Sequence, residues 1–224
     1  MNLLQPQERR AKEPGDTAEA VAARRRLHDC GVTGPLLGGI RDALGAGVGE
    51  AVLDAGCGDG FYLGTLAREL GFAGHGVDIS TRAIDLAARR YPGCDWVVAN
   101  ADRFLPYADA SFTAVMSITA RMNPNEFRRV LREDGRLLIA LPAPDDLIEL
   151  RGRGRDDRVM RTVEAFAPHF ELVNEANVRT AAELDAAAAQ DMLTSIYRPN
   201  RSAPVEAMRV TLSLNLLTFR VSRG

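Results

Sequence analysis

The sequence predicts a doubly wound α/β domain, in which a mostly parallel seven-stranded sheet is covered by helices on both faces. Apolar segments with strand character alternate with segments of helical periodicity along most of the 224 residues. A glycine-rich turn at residues 56–60 joins a buried strand pattern to a helical one. The last two strand patterns lie close together in the sequence, so one of them is expected to form an antiparallel edge.

Each element is predicted from its local pattern. The strands are short runs rich in apolar residues, at 50–55, 75–77, 95–99, 111–118, 135–141, 170–178 and 208–221. The helices have apolar residues at intervals of three and four, at 17–30, 36–44, 61–70, 80–87, 124–131 and 181–195. Asp16 or Thr17 is expected to cap the first helix and Ser80 the fourth, because their side-chain oxygens can accept hydrogen bonds from amides at helix starts.

Length and composition restrict the class of protein. A chain of 224 residues suits one domain, and its 46% of hydrophobic residues suffice for a core. No apolar run reaches the roughly 18 residues of a membrane helix, so no membrane partner is expected. Residues 1–16 are polar and lack the pattern of a secretory signal, which predicts a cytoplasmic protein.

The charge and the cysteines exclude further classes. The scattered Cys30, Cys57 and Cys94 predict neither a disulfide framework nor a zinc site, so no metal is expected. The net charge of −2 and the isoelectric point of about 6.0 argue against a protein that grips nucleic acid by bulk charge.

The glycine turn has the pattern GxGxG and follows a strand that ends in Asp54 and Ala55. Glycines allow the backbone to turn tightly and to approach a ligand closely. A dinucleotide-binding turn has the spacing GxGxxG, and its pyrophosphate would be repelled by the Asp54 carboxylate. The ammonium group of S-adenosyl-L-methionine (SAM) would be attracted to the same carboxylate. The sequence therefore predicts SAM as the cofactor.

Further SAM contacts are predicted at the ends of the neighbouring strands. Asp78 ends the second strand about 20 residues after the glycines, where an acid accepts both ribose hydroxyls. The adenine is expected near residues 100–102, with Asp102 accepting from its amino group and the Ala101 amide donating to its ring. A solvated loop acid is the alternative for Asp102. The predicted cofactor-binding residues are Asp54, Gly56, Gly58, Gly60, Asp78, Ile79, Ala101, Asp102 and Ser117.

With these residues the chain resembles the large-subunit ribosomal RNA guanine-N1 methyltransferases, a family that includes macrolide-resistance enzymes. The motifs in the middle of the chain are shared by Rossmann-like class I methyltransferases in general. More particular similarities are found in five segments: Asn2-Leu3-Leu4, Pro14-Gly15-Asp16, Ala23-Arg24-Arg25, Leu141-Pro142-Ala143-Pro144, and Leu147 with Glu149-Leu150-Arg151-Gly152. The last two are similar to the Pro-x-Pro turn and LxELKG stretch of that family. The resemblance covers almost the whole chain and implies methyl transfer from SAM to guanine N1.

Three differences concern the parts that would meet the substrate. The family carries an N-terminal zinc ribbon that helps to hold RNA, and this sequence begins where such a ribbon would end. The family's MTPxxWR stretch corresponds to residues 192–198, in which the proline is absent and Tyr197 replaces the tryptophan. Its Ala-Pro turn after the fourth strand is Ala120-Arg121 here. The resemblance therefore says less about the acceptor than about the cofactor.

The acceptor is expected over the ends of the fourth and fifth strands, near Ser117, Thr119, Arg121, Met122 and Asn123. Arg121, Asn123 and Tyr197 are the predicted catalytic residues. Arg121 can clamp a carboxylate or phosphate through two hydrogen bonds, and Tyr197 can stack on a flat ring. A solvated arginine and a tyrosine packed on the core are the respective alternatives.

The arginine-rich segment 151–161 can follow an RNA backbone. Asp156 and Asp157 dilute its charge, so a mobile solvated loop is the favoured interpretation.

The favoured function is SAM-dependent methylation of a small molecule in secondary metabolism, because the ribbon is missing and the charge balance is acidic. The first alternative is methylation of guanine N1 in ribosomal RNA, which the near full-length resemblance implies. Transfer or cyclisation of another group from SAM and a SAM-binding sensor are further alternatives. Residues 47–224 are predicted to form the SAM domain, and residues 1–46 a helical extension that serves as a lid or as a homodimer interface.

Overall fold

The computed structural model describes residues 1–3, 15–196 and 206–222. The strands are β1 (Ala51–Ala55), β2 (Ala73–Asp78), β3 (Asp95–Val98), β4 (Phe112–Ile118), β5 (Leu131–Pro142), β6 (Phe170–Leu184) and β7 (Met208–Val221). The helices are α1 (Ala18–Asp29), α2 (Gly34–Leu44), α3 (Phe61–Leu70), α4 (Thr81–Arg90), α5 (Pro124–Val130), α6 (Ile148–Arg151), α7 (Arg158–Phe166) and α8 (Ala186–Ser195). No helix in these ranges is long and apolar enough to cross a membrane.

The strands form one sheet in the order β3-β2-β1-β4-β5-β7-β6. Strands β1 to β5 are parallel, and β7 lies antiparallel between β5 and β6. This arrangement confirms the predicted doubly wound sheet with an antiparallel edge. The strand order reverses beside β1, and ligands of open α/β sheets bind at the carboxyl ends of the strands at such a point.

Two apolar layers cover the two faces of the sheet. On one face, β-strand side chains such as Val52 and Met116 pack with side chains of α1, α2, α3, α4 and α8. On the other face, Leu53 and Val115 pack with α5 and α7. Because neighbouring strand residues point to opposite faces, the near-continuous apolar runs of β1 and β4 are those of strands buried on both sides.

The predicted helix caps at Thr17 and Ser80 are confirmed. Thr17 Oγ1 accepts a hydrogen bond from the Ala20 amide at 3.2 Å, and Ser80 Oγ accepts one from the Ala83 amide at 3.3 Å. These side chains occupy the place of the carbonyl that a preceding helical turn would provide.

Two predicted boundaries are wrong because strand pairing outweighs local composition. β6 pairs with β7 as far as Leu184 opposite Met208, so the helix predicted from residue 181 begins only at Ala186. β5 begins at Leu131, opposite Phe112, where the sequence predicted the end of a helix and a strand only from 135. The pairing partner of a strand is not visible in its own sequence.

The arginine-rich segment 151–161 is not the predicted mobile loop throughout, because α6 ends in it at Arg151 and α7 begins in it at Arg158. Helix α7 is stabilised by residues that lie beyond this segment in the chain. Thr162 and Phe166, one turn apart, are both buried on the inner face of α7.

The replacement Gly60→Ala is expected to destabilise the protein by about 3 kcal/mol. Gly60 has a φ of +76°, and an added Cβ would lie 2.4 Å from a ring carbon of Trp96 and 2.9 Å from Ala87 Cβ. Gly38 is the matched control, since a Cβ there meets no atom within 4 Å. Gly38→Ala is expected to stabilise α2 by about 0.5–1 kcal/mol. Urea unfolding followed by circular dichroism measures both changes, and similar values for the two variants would contradict this account of the turn.

Candidate functional site

The glycine turn lies at the carboxyl end of β1. Gly56, Gly58 and Gly60 have φ values of +89°, +56° and +76°, in the left-handed region that favours glycine. The amides of Gly56 and Cys57 donate to the Val77 carbonyl at 2.8 and 3.0 Å, which ties the turn to the end of β2. A Cβ on Gly56 would lie 2.3 Å from the Cβ of Ala120, so the turn also abuts the loop after β4.

The Asp78 carboxylate is held beside this turn by two backbone amides. Its Oδ2 accepts from the Gly58 amide at 2.9 Å, and its Oδ1 accepts from the Ser80 amide at 2.8 Å. Burial raises the pKa of this carboxyl, although both amide hydrogen bonds lower it. The carboxylate is therefore fixed at the end of β2, where the sequence predicted a ribose-binding acid.

Asp54 is almost fully buried, and its Oδ1 has no hydrogen-bond partner among the described residues. Burial raises the pKa of its carboxyl to about 8, and the neighbouring Asp78 carboxylate adds to the effect. Buried polar atoms are normally hydrogen-bonded, so an orphaned oxygen in this place indicates a ligand with a donor group. A cationic donor would favour the ionised form.

Arg24 on α1 lies at this site, although no sequence motif indicated it. Its Nη1 lies 2.6 Å from Asp16 Oδ2, and its Nη2 donates to the Ser195 carbonyl at 3.1 Å. The same Nη1 lies 3.8 Å from the position that a Cβ on Gly58 would take. A guanidinium therefore lies close to the glycine turn at Gly58. The available signal was its place in the segment Ala23-Arg24-Arg25, which the family resemblance includes but gives no role.

Helix α1 is fixed against the turn by stacked rings. The His28 ring lies parallel to that of Phe61, the first residue of α3, with centroids 3.9 Å apart. Its Nδ1 lies 2.7 Å from Thr33 Oγ1. Burial lowers the pKa of His28 to about 3, with a further lowering from Arg24, so the imidazole is neutral at physiological pH. The packing holds Arg24 one turn away from His28 on the same helix.

Three predicted residues meet on the far side of the turn. The Asn123 side-chain amide donates to the Asp102 carbonyl at 2.8 Å, and Arg121 Nη1 lies 3.3 Å from Asp102 Oδ2. Asn123 Oδ1 also accepts from the Glu126 amide and so caps α5. Asn123 thus positions the loop, whereas the Arg121 side chain is 88% exposed and can turn towards a ligand. Ala101 is buried beside Asp102, and Ile79 packs against the backbone of Gly15.

The Ser117 side chain does not join this group. Asp54 lies opposite Met116 in the sheet, so the next residue, Ser117, points to the other face. The Ser117 hydroxyl is buried there and has no hydrogen-bond partner in the described part of the chain. We therefore assign no side-chain role to Ser117. Tyr197 lies outside the described residues.

The family-like stretch after β5 joins the ends of two strands. Glu149 accepts from the Thr211 amide at 2.9 Å and from the Thr211 hydroxyl at 2.7 Å. Asp146 accepts from the Ser213 amide at 2.9 Å and pairs with Arg151. These contacts hold the start of β7 against α6 and the segment that follows β5.

Comparison with known proteins agrees with this geometry. Residues 52–139 match the family described as "Methyltransferase domain". The chain is 38% identical over 195 residues to a 23S rRNA (guanine(748)-N(1))-methyltransferase of Streptomyces fradiae, covering 83% of this chain and 69% of the relative. It is 36% identical over 106 residues to a demethylmenaquinone methyltransferase of Tropheryma whipplei, covering 43% of each chain.

A solved structure shows the same fold. The TehB-like SAM-dependent methyltransferase of Corynebacterium glutamicum superposes with a TM-score of 0.58 at 21% identity, covering 92% of this chain and 99% of that one. The glycine turn, the orphaned Asp54 oxygen and the fixed Asp78 carboxylate fit SAM as the cofactor. The chain is a SAM-dependent class I methyltransferase and belongs to the family of the 23S rRNA guanine-N(1) methyltransferases.

Proposed function

We propose that the protein transfers the methyl group of SAM to N1 of a guanine in ribosomal RNA. The observation that carries this proposal is the extent of the similarity to the Streptomyces fradiae enzyme, which includes 83% of the chain. The similarity to the demethylmenaquinone enzyme covers only 43%, a length that the cofactor-binding half alone accounts for. The similarity to the Streptomyces fradiae enzyme extends beyond the cofactor-binding half into the part of the chain that would bind the acceptor. It therefore supports RNA as the substrate over the small molecule that the sequence favoured.

Three charged side chains are proposed to hold SAM at the carboxyl ends of β1 and β2. Asp78 accepts hydrogen bonds from the ribose hydroxyls, and Asp54 accepts one from the methionine ammonium. Arg24 binds the methionine carboxylate, because its guanidinium lies close to Gly58 of the glycine turn and, within the described residues, pairs with the partly exposed Asp16 and one carbonyl. When bound, SAM supplies an electrophilic methyl group on its sulfonium.

The loop after β4 is proposed to position the acceptor. Ala120 touches the glycine turn, and Asn123 fixes the loop by capping α5. The exposed Arg121 guanidinium can bind the acceptor at its O6 or a phosphate. Guanine N1 carries a proton at neutral pH, so this proton passes to solvent water as the N1–methyl bond forms, the sulfur–methyl bond breaks and S-adenosylhomocysteine leaves. Alignment of N1 with the methyl group supplies much of the acceleration in such a transfer.

Primer extension on a 23S rRNA transcript tests the proposal. A methyl group on N1 removes the donor that pairs with cytosine, so reverse transcriptase stops beside the modified guanine. Stops are expected after incubation with protein and SAM, and not when S-adenosylhomocysteine replaces SAM. The Asp78→Ala variant is the protein control. A transcript without stops, treated with protein that binds SAM, would contradict the proposal.

A small-molecule acceptor is the second candidate. The observation in its favour is the net charge of −2, which is unusual for a protein that binds RNA through bulk charge. It predicts SAM turnover with a metabolite extract and an unmodified transcript in the same primer-extension assay. A homodimer through α1 and α2 and a role of these helices as a lid stay predictions.

A further inference from the structure

A groove rich in arginine lies beside the acceptor loop. It has a volume of about 470 Å³. We call it the arginine groove, and its walls include Met122, Pro124, Arg155, Arg158, Arg161 and Phe166. Phe166 is fully buried and forms the floor, whereas Arg155 and Arg161 are more than half exposed at the rim.

The charge of this groove is positive. Among the described residues that line it, three are arginines and one is an acid, Asp157, whose carboxylate two of the arginines share. Arg155 donates to Asp157 through Nε and Nη2 at 3.0 and 2.8 Å, and Arg161 Nε lies 2.7 Å from Asp157 Oδ2. The flanking Arg153 and Asp156 pair with each other, so their charges cancel. Two arginines on one carboxylate leave an excess of donors that a second anion can use.

The groove adjoins the cofactor site through one loop. Ala120 touches the glycine turn, and Met122, two residues later, forms part of the groove wall. Two residues span at most about 7 Å. Arg158 Nη1 donates to the Pro142 carbonyl at the end of β5, which holds the start of α7 at the same edge of the sheet. An acceptor placed at the methyl group can therefore extend into the groove.

We propose that the arginine groove binds a phosphate ester of the acceptor, namely the backbone phosphate of an RNA nucleotide next to the methylated guanine. This inference rests on the proposed function for the source of the phosphate. Arginine binds phosphate oxygens through two parallel hydrogen bonds, and the donors that Asp157 does not occupy are available to a phosphate. Met122 and Pro124 provide an apolar wall for the adjoining sugar and base.

Three single variants of the full chain test this proposal. Arg161→Gln removes a groove cation, and Asp157→Asn removes the competing carboxylate. Arg209→Gln is the matched control, because Arg209 is 70% exposed, against 61% for Arg161, and also pairs with a carboxylate, that of Glu183. Fluorescence anisotropy measures the binding of a short labelled single-stranded RNA at several salt concentrations. Calorimetry measures the binding of inorganic pyrophosphate and of SAM.

The variants at Arg161 and Asp157 are expected to change the affinity for RNA in opposite directions. Arg161→Gln weakens RNA binding about 5- to 10-fold and lowers the slope of log affinity against log salt by about 0.7, since one phosphate contact is lost. Asp157→Asn strengthens RNA binding, because the competing carboxylate is lost. Arg209→Gln changes the RNA affinity by less than about twofold. SAM affinity stays unchanged in all three variants.

Three other outcomes would each support or overturn the arginine groove as a phosphate-binding site. Equal weakening by Arg161→Gln and Arg209→Gln would show a response to bulk charge and overturn the groove as a site. Binding of pyrophosphate but not RNA, with the same order of variants, would support the phosphate site and make a phosphorylated small molecule its source. Binding of neither probe by protein that binds SAM would overturn the inference, while primer extension judges the proposed function separately.

Discussion

Replacing Asp54 with asparagine is expected to stabilise the protein without cofactor and to weaken SAM binding. The native state holds the Asp54 carboxyl with a pKa of about 8, against 3.8 when exposed. A raised acid pKa means that the native state binds more protons than the unfolded state, so wild-type stability falls as the pH rises between these values. Asparagine cannot ionise, so the stability of the variant lacks this decrease with pH.

The gain in free energy of unfolding from Asp54→Asn, relative to the wild type, is expected to be absent near pH 3.8. It is expected to grow by at most about 1.4 kcal/mol per pH unit up to about pH 8. Urea unfolding of both proteins across this pH range measures it. Calorimetry measures the cofactor, and SAM affinity is expected to fall about 10-fold or more, because the ammonium loses a charged partner. A variant that is less stable at pH 8 and binds SAM normally would contradict both parts.

Replacing Arg24 with glutamine is expected to weaken SAM binding about 10- to 100-fold, the value of a charged hydrogen bond lost from a partly buried site. Arg25→Gln is the matched control, because the adjacent Arg25 pairs with Asp29 and not with the turn. 5′-Methylthioadenosine, which lacks the amino-acid part of SAM, is the second probe. Its affinity is expected to stay the same in Arg24→Gln.

The two probes separate a direct role of Arg24 from a structural one. Equal loss of SAM and of 5′-methylthioadenosine would mean that Arg24 only holds α1 in place through Asp16 and Ser195. Unchanged SAM affinity would remove Arg24 from the site altogether. Asp78→Asn gives the opposite pattern, since a ribose-binding acid is needed by both ligands.

The cofactor half of the site could be predicted because its signals are local. Asp54 and the glycines lie within one strand and the turn that follows it, and Asp78 ends the next strand in the chain. The carboxyl ends of parallel strands meet at one edge of the sheet, so sequence order alone brings these residues together. The structure places these residues at the carboxyl ends of β1 and β2, and their contacts with SAM stay predictions.

The other site residues depend on contacts between distant segments. Arg24 reaches the turn only because α1 packs against α3, and Ser117 points away from Asp54 because of the register between β1 and β4. Neither the packing nor the register is encoded in a short pattern. Asn123, which was predicted as catalytic, is different, because the local pattern Asn-Pro-x-Glu from Asn123 to Glu126 is a helix-start signal that could have indicated its capping role.

Mass spectrometry of nucleosides from ribosomal RNA, treated with protein and with SAM that carries a deuterated methyl group, tests the proposed methyl transfer. The expected products are guanosine with the deuterated methyl group on N1 and an equal amount of S-adenosylhomocysteine. Unlabelled guanosine in RNA, with the label recovered in a small molecule when a metabolite extract is added, would contradict the proposed methyl transfer.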